Sequence, residues 1–347
     1  MRATRLSLGL LAALVALLLP MLLDMLGQPA MLRLITRMLI YAIAVASLNF
    51  ILGYGGLVSF GHAAFFGIGG YAVAILDLHH RSGPILGLIP GSDSFLIAVP
   101  AAMLLAGAAA AMVGALSLRT SGVQFIMITL AFAQMLFFLF VSLRSYGGED
   151  GIIMRRPNAL FGLNLRDRMV IYYVVLALTA GYFLFLWRLV NSSFGTILRG
   201  IRQNERRMTA LGIPVYRYKL AAFTLAGMGA GLAGALMANF SRFVSPDMLH
   251  WTLSGDMIIM VVLGGVGTLA GPLLGAAAFL FLESQLAAWT EHWKLFMGLL
   301  LLAVVLWTRG GIMALPRFLW RWLRGGGSGD GSGAAAQDDP AGQGGRQ

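Results

Sequence analysis

Two groups of polar side chains stand inside long apolar stretches: Asn49, Ser59 and His62 in one, Gln124, Thr129 and Gln134 in another. An amide, hydroxyl or imidazole withdrawn from water must find a partner or hold a ligand, so these positions carry more information than their apolar neighbours. The first three flank Gly53-Tyr54-Gly55-Gly56, a run that interrupts a helix. A helix that restarts after such a break, near His62, offers free N–H groups and a positive dipole end to an anion such as a carboxylate. His62 and Ser59 could equally well satisfy those N–H groups themselves. Gln124, Thr129 and Gln134 suit hydrogen bonding between helices, worth roughly 1 kcal/mol each.

A third group lies in the basic segment 191–219, where Arg199, Arg202, Arg206, Arg207, Arg217 and Lys219 face Glu205 as the lone acid. Ile197, Leu198 and Ile201 recur with helical spacing, as do Met208 and Leu211. Asn204 can cap a short helix and Gly212 can end it. The pattern predicts a short amphipathic helix between two apolar segments. Such a helix either rests on a lipid surface or docks on a partner protein.

The elements that hold these groups follow from composition. Of 347 residues, 59% are hydrophobic and only 11% are Asp, Glu, Lys or Arg, where a soluble domain carries roughly 25%. Mean hydropathy is +0.81, and there is no cysteine. Such a chain is neither a soluble enzyme nor a disulfide scaffold; it is an integral membrane protein. The net charge of +11 points to loops facing anionic lipid rather than to nucleic acid. Runs free of charge occupy 6–23, 38–76, 94–118, 120–143, 169–187, 220–241, 257–282 and 295–308. A crossing takes about 20 residues, so the fold class is an all-α polytopic transmembrane bundle with about eight to ten membrane segments. Six crossings are predicted at 6–26, 31–52, 57–76, 95–118, 121–143 and 169–190. The run 257–282 is broken at Gly264-Gly265-Val266-Gly267-Thr268-Leu269-Ala270-Gly271-Pro272 and reads as a broken or re-entrant hairpin.

The basic residues of 191–219, with Arg2 and Arg5 at one terminus and Arg309, Arg317, Arg321 and Arg324 at the other, place both termini and this segment in the cytoplasm. The arginines of 144–168, with Arg33 and Arg37, fit that assignment poorly. The Gly-rich polar residues 323–347 read as a disordered cytoplasmic tail, beyond a transmembrane domain of 1–322. The glycines Gly61, Gly67, Gly69 and Gly70, and Gly227, Gly229, Gly231 and Gly234, put small residues on helix faces, as tight packing in lipid requires. No phosphate-binding loop, metal pattern or acid–base pair for a proton relay is legible in the spans. The expectation is therefore no cofactor and no enzyme activity, with energy supplied by another chain.

Asn49-x-x-x-Gly53-Tyr54-Gly55-Gly56-x-x-Ser59-x-Gly61-His62-Ala63-Ala64-Phe65-Phe66-Gly67-x-Gly69-x-Tyr71 closely resembles the signature of the permeases of branched-chain amino-acid ABC importers, specifically the M-type subunit. Thr129 to Gln134, Gly147 to Gly151, Phe194-Gly195 through Gly212-Ile213, and Gly264 to Ala276 agree in the same order. The resemblance spans about residues 30–312. It implies an inner-membrane permease subunit that works with a second, H-type permease, two cytoplasmic ATPases and a periplasmic substrate-binding protein. It makes 199–213 the ATPase-coupling element, through Arg199, Arg202, Glu205, Arg206, Ala210 and Gly212. Arg206 and Arg207 depart from the small residues usual after the glutamate. It makes Asn49, Gly56, Ser59, His62, Gln134, Gly265 and Thr268 candidates for the translocation path. A permease for urea or short amides shares these motifs. A stand-alone carrier would show intramembrane carboxylates, and a membrane enzyme would have only Glu149 and Asp150 to work with.

Overall fold

The computed structural model describes residues 15–84, 91–160 and 163–307. The apolar runs form helices α1 (Val15–Met25), α2 (Pro29–Asn49), α3 (His62–Ser82), α4 (Phe95–Ser117), α5 (Val123–Ser142) and α6 (Arg168–Val190). Two short helices follow, α7 (Ser193–Gln203) and α8 (Glu205–Ala210). The chain then forms α9 (Val215–Ser241), α10 (Trp251–Gly264), α11 (Gly271–Trp289) and α12 (Trp293–Trp307). A wider helical turn, Phe50–Tyr54, prolongs α2. Among the described residues six helices are long and apolar enough to cross a membrane: Pro29–Tyr54, Phe95–Ser117, Val123–Ser142, Arg168–Val190, Val215–Ser241 and Gly271–Trp289. The expected all-α polytopic bundle is thus present. The start of the 6–26 crossing, the flank with Arg309, Arg317, Arg321 and Arg324, and the tail 323–347 lie outside the described residues.

One end of the bundle gathers the tip of α2, the α4–α5 turn, α7, α8 and the α10–α11 break; Tyr216 Oη, for example, donates to the Ala115 carbonyl at 2.9 Å. The other end gathers the α3–α4 and α5–α6 connections and the residues after α9. There β1 (Ile152–Ile153) pairs antiparallel with β2 (Phe243–Val244), Ile152 opposite Val244. The Phe95 N–H donates to the Ala159 carbonyl at 2.9 Å. From these anchors α2–α5 and α9–α12 run through the bundle in opposite senses, each set broken after its first helix.

The two breaks reach deep into the bundle. The expected helix over 57–76 begins only at His62, because residues 55–61 run back alongside the end of α2 without helical geometry. His62 Nε2 lies 2.7 Å from Ser47 Oγ, about two turns short of the tip of α2 at Tyr54. From the other side, residues 243–250 lie on α3, with Leu249 against Gly67 and Met248 against Gly70. α10 therefore starts beside the start of α3, and the two run apart. Irregular backbone at such depth survives only when protein buries it, and Leu57, Ser59, Gly61, His62 and Leu249 are buried.

α9 is the hub that makes this possible. A Cβ at Gly227 or Gly231 would overlap Ala110 or Ala106 of α4. One at Gly234 would overlap the Phe66 carbonyl of α3, and one at Gly229, on another face, the Tyr182 hydroxyl of α6. The glycines thus serve packing on several faces rather than a single stripe. The helices approach backbone to backbone, which lets small residues substitute for a hydrophobic driving force in lipid.

The helices do hold an ion pair that the uncharged runs did not show, though not a proton relay. α2 and α11 extend past the uncharged runs, and Arg37 Nη2 meets Glu283 Oε1 at 3.3 Å between them. The guanidinium also lies 5.5 Å from the Tyr41 ring centroid. Counting Arg and Lys does not separate the two ends either. Arg119, Arg188, Arg199, Arg202, Arg206, Arg207, Arg217 and Lys219 gather at the α7–α8 end, with Glu205 as the acid there. Arg33, Arg81, Arg144, Arg155, Arg156, Arg166, Arg168, Arg242 and Lys294 lie toward the other end, among eight acids: Asp24, Asp77, Asp93, Glu149, Asp150, Asp167, Asp247 and Glu291. Among the described residues the acids, not the bases, are what is unevenly distributed.

Replacing Gly234 by Ala should force α9 and α3 apart and lower the melting temperature in detergent, with a loss of about 1–3 kcal/mol. Gly181→Ala, where no atom lies within 4 Å of the added methyl, should leave the melting temperature unchanged or slightly raised. Equal melting temperatures for the two variants would contradict this packing.

Candidate functional site

Three pieces of chain meet at the α7–α8 end, and a few polar groups join them. Asn49 stands where α2 gives way to its wide terminal turn. Its Oδ1 accepts from the Gly267 N–H at 2.8 Å, and its Nδ2 donates to the Thr268 carbonyl at 2.8 Å. One amide thus satisfies a donor and an acceptor of the α10–α11 break, which has no helical partners of its own. Thr268 Oγ1 donates to the Gly265 carbonyl at 2.8 Å and accepts from the Gly271 N–H at 3.1 Å, ending the break and starting α11. The break fits because Gly265 and Gly267 take φ of +114° and +78°, open to glycine at little cost. Gly53 is required for a different reason: a Cβ there would overlap the Gly267 backbone.

α7 is fastened to the same place. Arg202 Nη1 donates to the Gly53 carbonyl, a charge-assisted bond to a C-terminal carbonyl left free where α2 ends. The methylene stem of Arg202 passes close to Gly56, whose φ is +70°. Leu198 and Ile201 bury the apolar side of α7. Arg199 donates through Nε to the Gly195 carbonyl and through Nη2 to the Val190 carbonyl, both at 3.3 Å, closing the end of α6. The expected single amphipathic helix is instead two. Asn204 ends α7 and caps α8, its Oδ1 accepting from the Arg207 N–H at 3.0 Å. The physical reason is that an Asn side chain bonded to a downstream N–H competes with helix continuation. Lys219 Nζ binds Glu205 Oε2 at 2.6 Å, tying α8 to α9. Gly212, at φ +78°, terminates the segment. Arg206, Ala210 and Gly212 are exposed, as is Leu211 at 68%. A cavity of about 220 Å³ lies beneath, lined among others by Gly55, Gly56, Ser121, Arg202, Glu205 and Lys219.

The structure therefore brings Asn49, Gly56, Gly265 and Thr268 together with Arg202. Ser59 and His62 lie apart, fully buried. His62 Nε2 and the Ala44 carbonyl each lie 2.7 Å from Ser47 Oγ, and His62 Nδ1 has no partner among the described residues. Ser59 Oγ accepts from the Gly61 N–H at 3.2 Å. The first turn of α3 is served by a residue sequence reasoning missed: the Ala63 N–H donates to Ser254 Oγ at 2.8 Å. Ser254, just upstream of the run that opens at 257, could have been found by extending that run past Asp256. Gln134 sits about a turn and a half beyond Thr129 on α5, its Nε2 unpartnered among the described residues.

A family model described as the permease component of branched-chain amino acid transport systems matches residues 30–305. The chain belongs to that family. The permease is 28% identical over 306 residues to the high-affinity branched-chain amino acid transport system permease protein LivM of Escherichia coli, covering 81% of this chain and 69% of that protein. The LivM protein of Salmonella typhimurium is 27% identical over 311 residues, with the same coverage of each. A probable LivM of Methanocaldococcus jannaschii is 26% identical over 298 residues, 75% of this chain and 82% of that one. These names agree with the resemblance to the M-type subunit. No solved structure matches the chain. Six helices among the described residues that are long and apolar enough to cross a membrane, with this membership, make the permease a multi-pass membrane protein.

Asn49→Leu should keep the volume of the joint but strand one donor and one acceptor, at about 1–3 kcal/mol each. Hydrogen–deuterium exchange across 264–271 should then quicken by about tenfold or more; an unchanged rate would show that Asn49 does not hold the break. Neutralising Glu283 to Gln should leave Arg37 uncompensated and lower the melting temperature, and the exchanged pair Arg37→Glu with Glu283→Arg should recover part of the loss. Two independent, additive losses would mean the ion pair contributes nothing.

Proposed function

We propose that the permease is the M-type transmembrane subunit of an ABC importer for branched-chain or related hydrophobic amino acids in the bacterial inner membrane. It works beside an H-type permease, with a periplasmic binding protein delivering substrate. ATP is hydrolysed by two cytoplasmic ATPases, and their motion enters through α7 and α8. On this reading the α7–α8 end is cytoplasmic, as are both termini, and residues 1–322 form the transmembrane domain.

The observation that carries the proposal is the joint of Arg202, Gly53, Asn49 and Gly267. An element that projects from a membrane bundle transmits force only if it is bonded to what must move. α7 is bonded at Gly53 to the end of α2, and Asn49 bonds that same end to Gly267 and Thr268 of the α10–α11 break. Arg199, Arg202 and Glu205 then anchor the element, while Arg206, Ala210, Leu211 and Gly212 present the surface a partner would meet. Leu211 supplies an apolar knob and the arginines a charged rim, the usual division of a protein interface. The ligand path runs past the buried breaks, where Gly56, Gly265, Thr268 and the deeper Ser59, His62 and Gln134 are the candidate wall. ATP-driven switching needs contacts that differ between two states, and the broken helices are the elements able to rearrange.

In proteoliposomes holding the complete transporter, Leu211→Asp should reduce ATP-dependent leucine uptake at least tenfold while the permease stays folded in the membrane. The ATPases should dissociate more readily in detergent. Normal uptake by this variant would remove α8 from the ATPase contact. Leucine and valine should compete with one another for uptake and urea should not; inhibition by urea alone would move the permease to the amide importers.

A further inference from the structure

We propose that the end of the bundle opposite α7 and α8 holds an anionic phospholipid, with its phosphate among Arg33, Arg166, Arg168 and Arg242. These arginines, from the start of α2, the approach to α6 and the cap of α9, line one cavity of about 370 Å³, together with Asn239 and Ser241. No carboxylate lines it. Arg33, Arg168 and Arg242 have no ion pair among the described residues, and the Arg166 side chain donates only to the Arg155 carbonyl, at 3.2 Å. Asp24 and Asp167 line a neighbouring cavity that Arg166 and Arg168 also border, and Asp167 accepts from the Met169 N–H at 3.0 Å. Four guanidinium groups around one concavity repel each other until an anion joins them.

The second observation is backbone strain. Arg242 has φ of +56°, the only positive φ at a non-glycine among the described residues. An arginine is costly there, and such strain persists only where the surroundings impose it. Here the Arg242 N–H donates to the Ala238 carbonyl and its own carbonyl accepts from the Met154 N–H, both at 2.8 Å. Those bonds lock the position, and glycine, the easier residue, is not used.

The third observation chooses a lipid over a free anion. The cavity shares Arg33 and Phe240 with a second one of about 430 Å³ between α2 and α11, walled by Ala30, Met31 and Leu34 and bordered by Arg37, Ser284 and Gln285. A basic chamber continuous with an apolar groove at helix ends matches a phosphate joined to an acyl chain. This inference stands independently of the transport reading.

The test uses the purified full-length chain in a neutral detergent, titrated with phosphatidylglycerol, with phosphatidylcholine of the same acyl chains, or with inorganic phosphate. Bound lipid is counted by native mass spectrometry and its effect by melting temperature. Phosphatidylglycerol should bind at least tenfold more tightly than phosphatidylcholine and raise the melting temperature; phosphate alone should not. Arg242→Asn, which keeps a residue tolerant of positive φ but removes the charge, and Arg33→Gln should each weaken phosphatidylglycerol binding about tenfold. Arg119→Gln, at the other end of the bundle, should not. Leu34→Trp, filling the groove, should weaken both lipids. Equal affinity for the two lipids, unchanged binding by both Arg242→Asn and Arg33→Gln, or full stabilisation by inorganic phosphate would overturn the proposal.

Discussion

Helices that stop inside a membrane leave N–H and C=O groups that no water can reach, and each stranded group costs several kcal/mol. The permease has such a place at residues 55–61, and a second irregular stretch, 265–270, lies at the α7–α8 end of the bundle; other parts of the chain satisfy both. Asn49 serves both sides of one break, Ser254 serves the restart of the other, and Arg202 closes the end of α2. Because these bonds cross between segments, the end of α2 joins α7 to the α10–α11 break. The same constraint that preserves the fold therefore couples its movable parts.

Close packing makes the constraint affordable. α9 brings its glycines against α3, α4 and α6, so that backbones touch where side chains would hold them apart. That proximity shields residues 55–61 and the strap 243–250, leaving their irregular backbone against protein rather than lipid. The outer helices α5 and α6 have a different task. They expose large apolar side chains, such as Met127, Phe138, Leu184 and Trp187, and tolerate lipid or a neighbouring subunit.

Much of this was legible in the sequence, because charge-free runs and glycine clusters are local signals. Four of the six expected crossings (31–52, 95–118, 121–143 and 169–190), the break at Gly264–Pro272 and the capping role of Asn204 could be read directly. The candidate site was only half legible. Asn49, Arg202, Gly265 and Thr268 were each identifiable as unusual, but path and coupling residues were read as separate sets. Their union at one joint depends on contacts between residues about 150 and 220 positions apart, which no spacing encodes. Ser47, Ser254, Arg37 and Glu283 were missed for a related reason. Each lies within or beside a run whose limits were set by charge, while their roles come from partners on other helices. Among the described residues the strand-paired end carries as many arginines as the α7–α8 end and differs chiefly in its acids, so basic residues alone do not tell the two ends apart.

The central claim is that α7 and the α10–α11 break form one mechanical unit. Spin labels at Thr196 and Val266, both exposed, can be introduced cleanly because the chain has no cysteine. Their separation should be measured by pulsed electron resonance in the assembled transporter, with and without a non-hydrolysable ATP analogue. The account predicts one narrow distance distribution that does not shift between states, while labels at Thr196 and Ile153, at opposite ends of the bundle, do shift. A distance between Thr196 and Val266 that changes on nucleotide binding would contradict it.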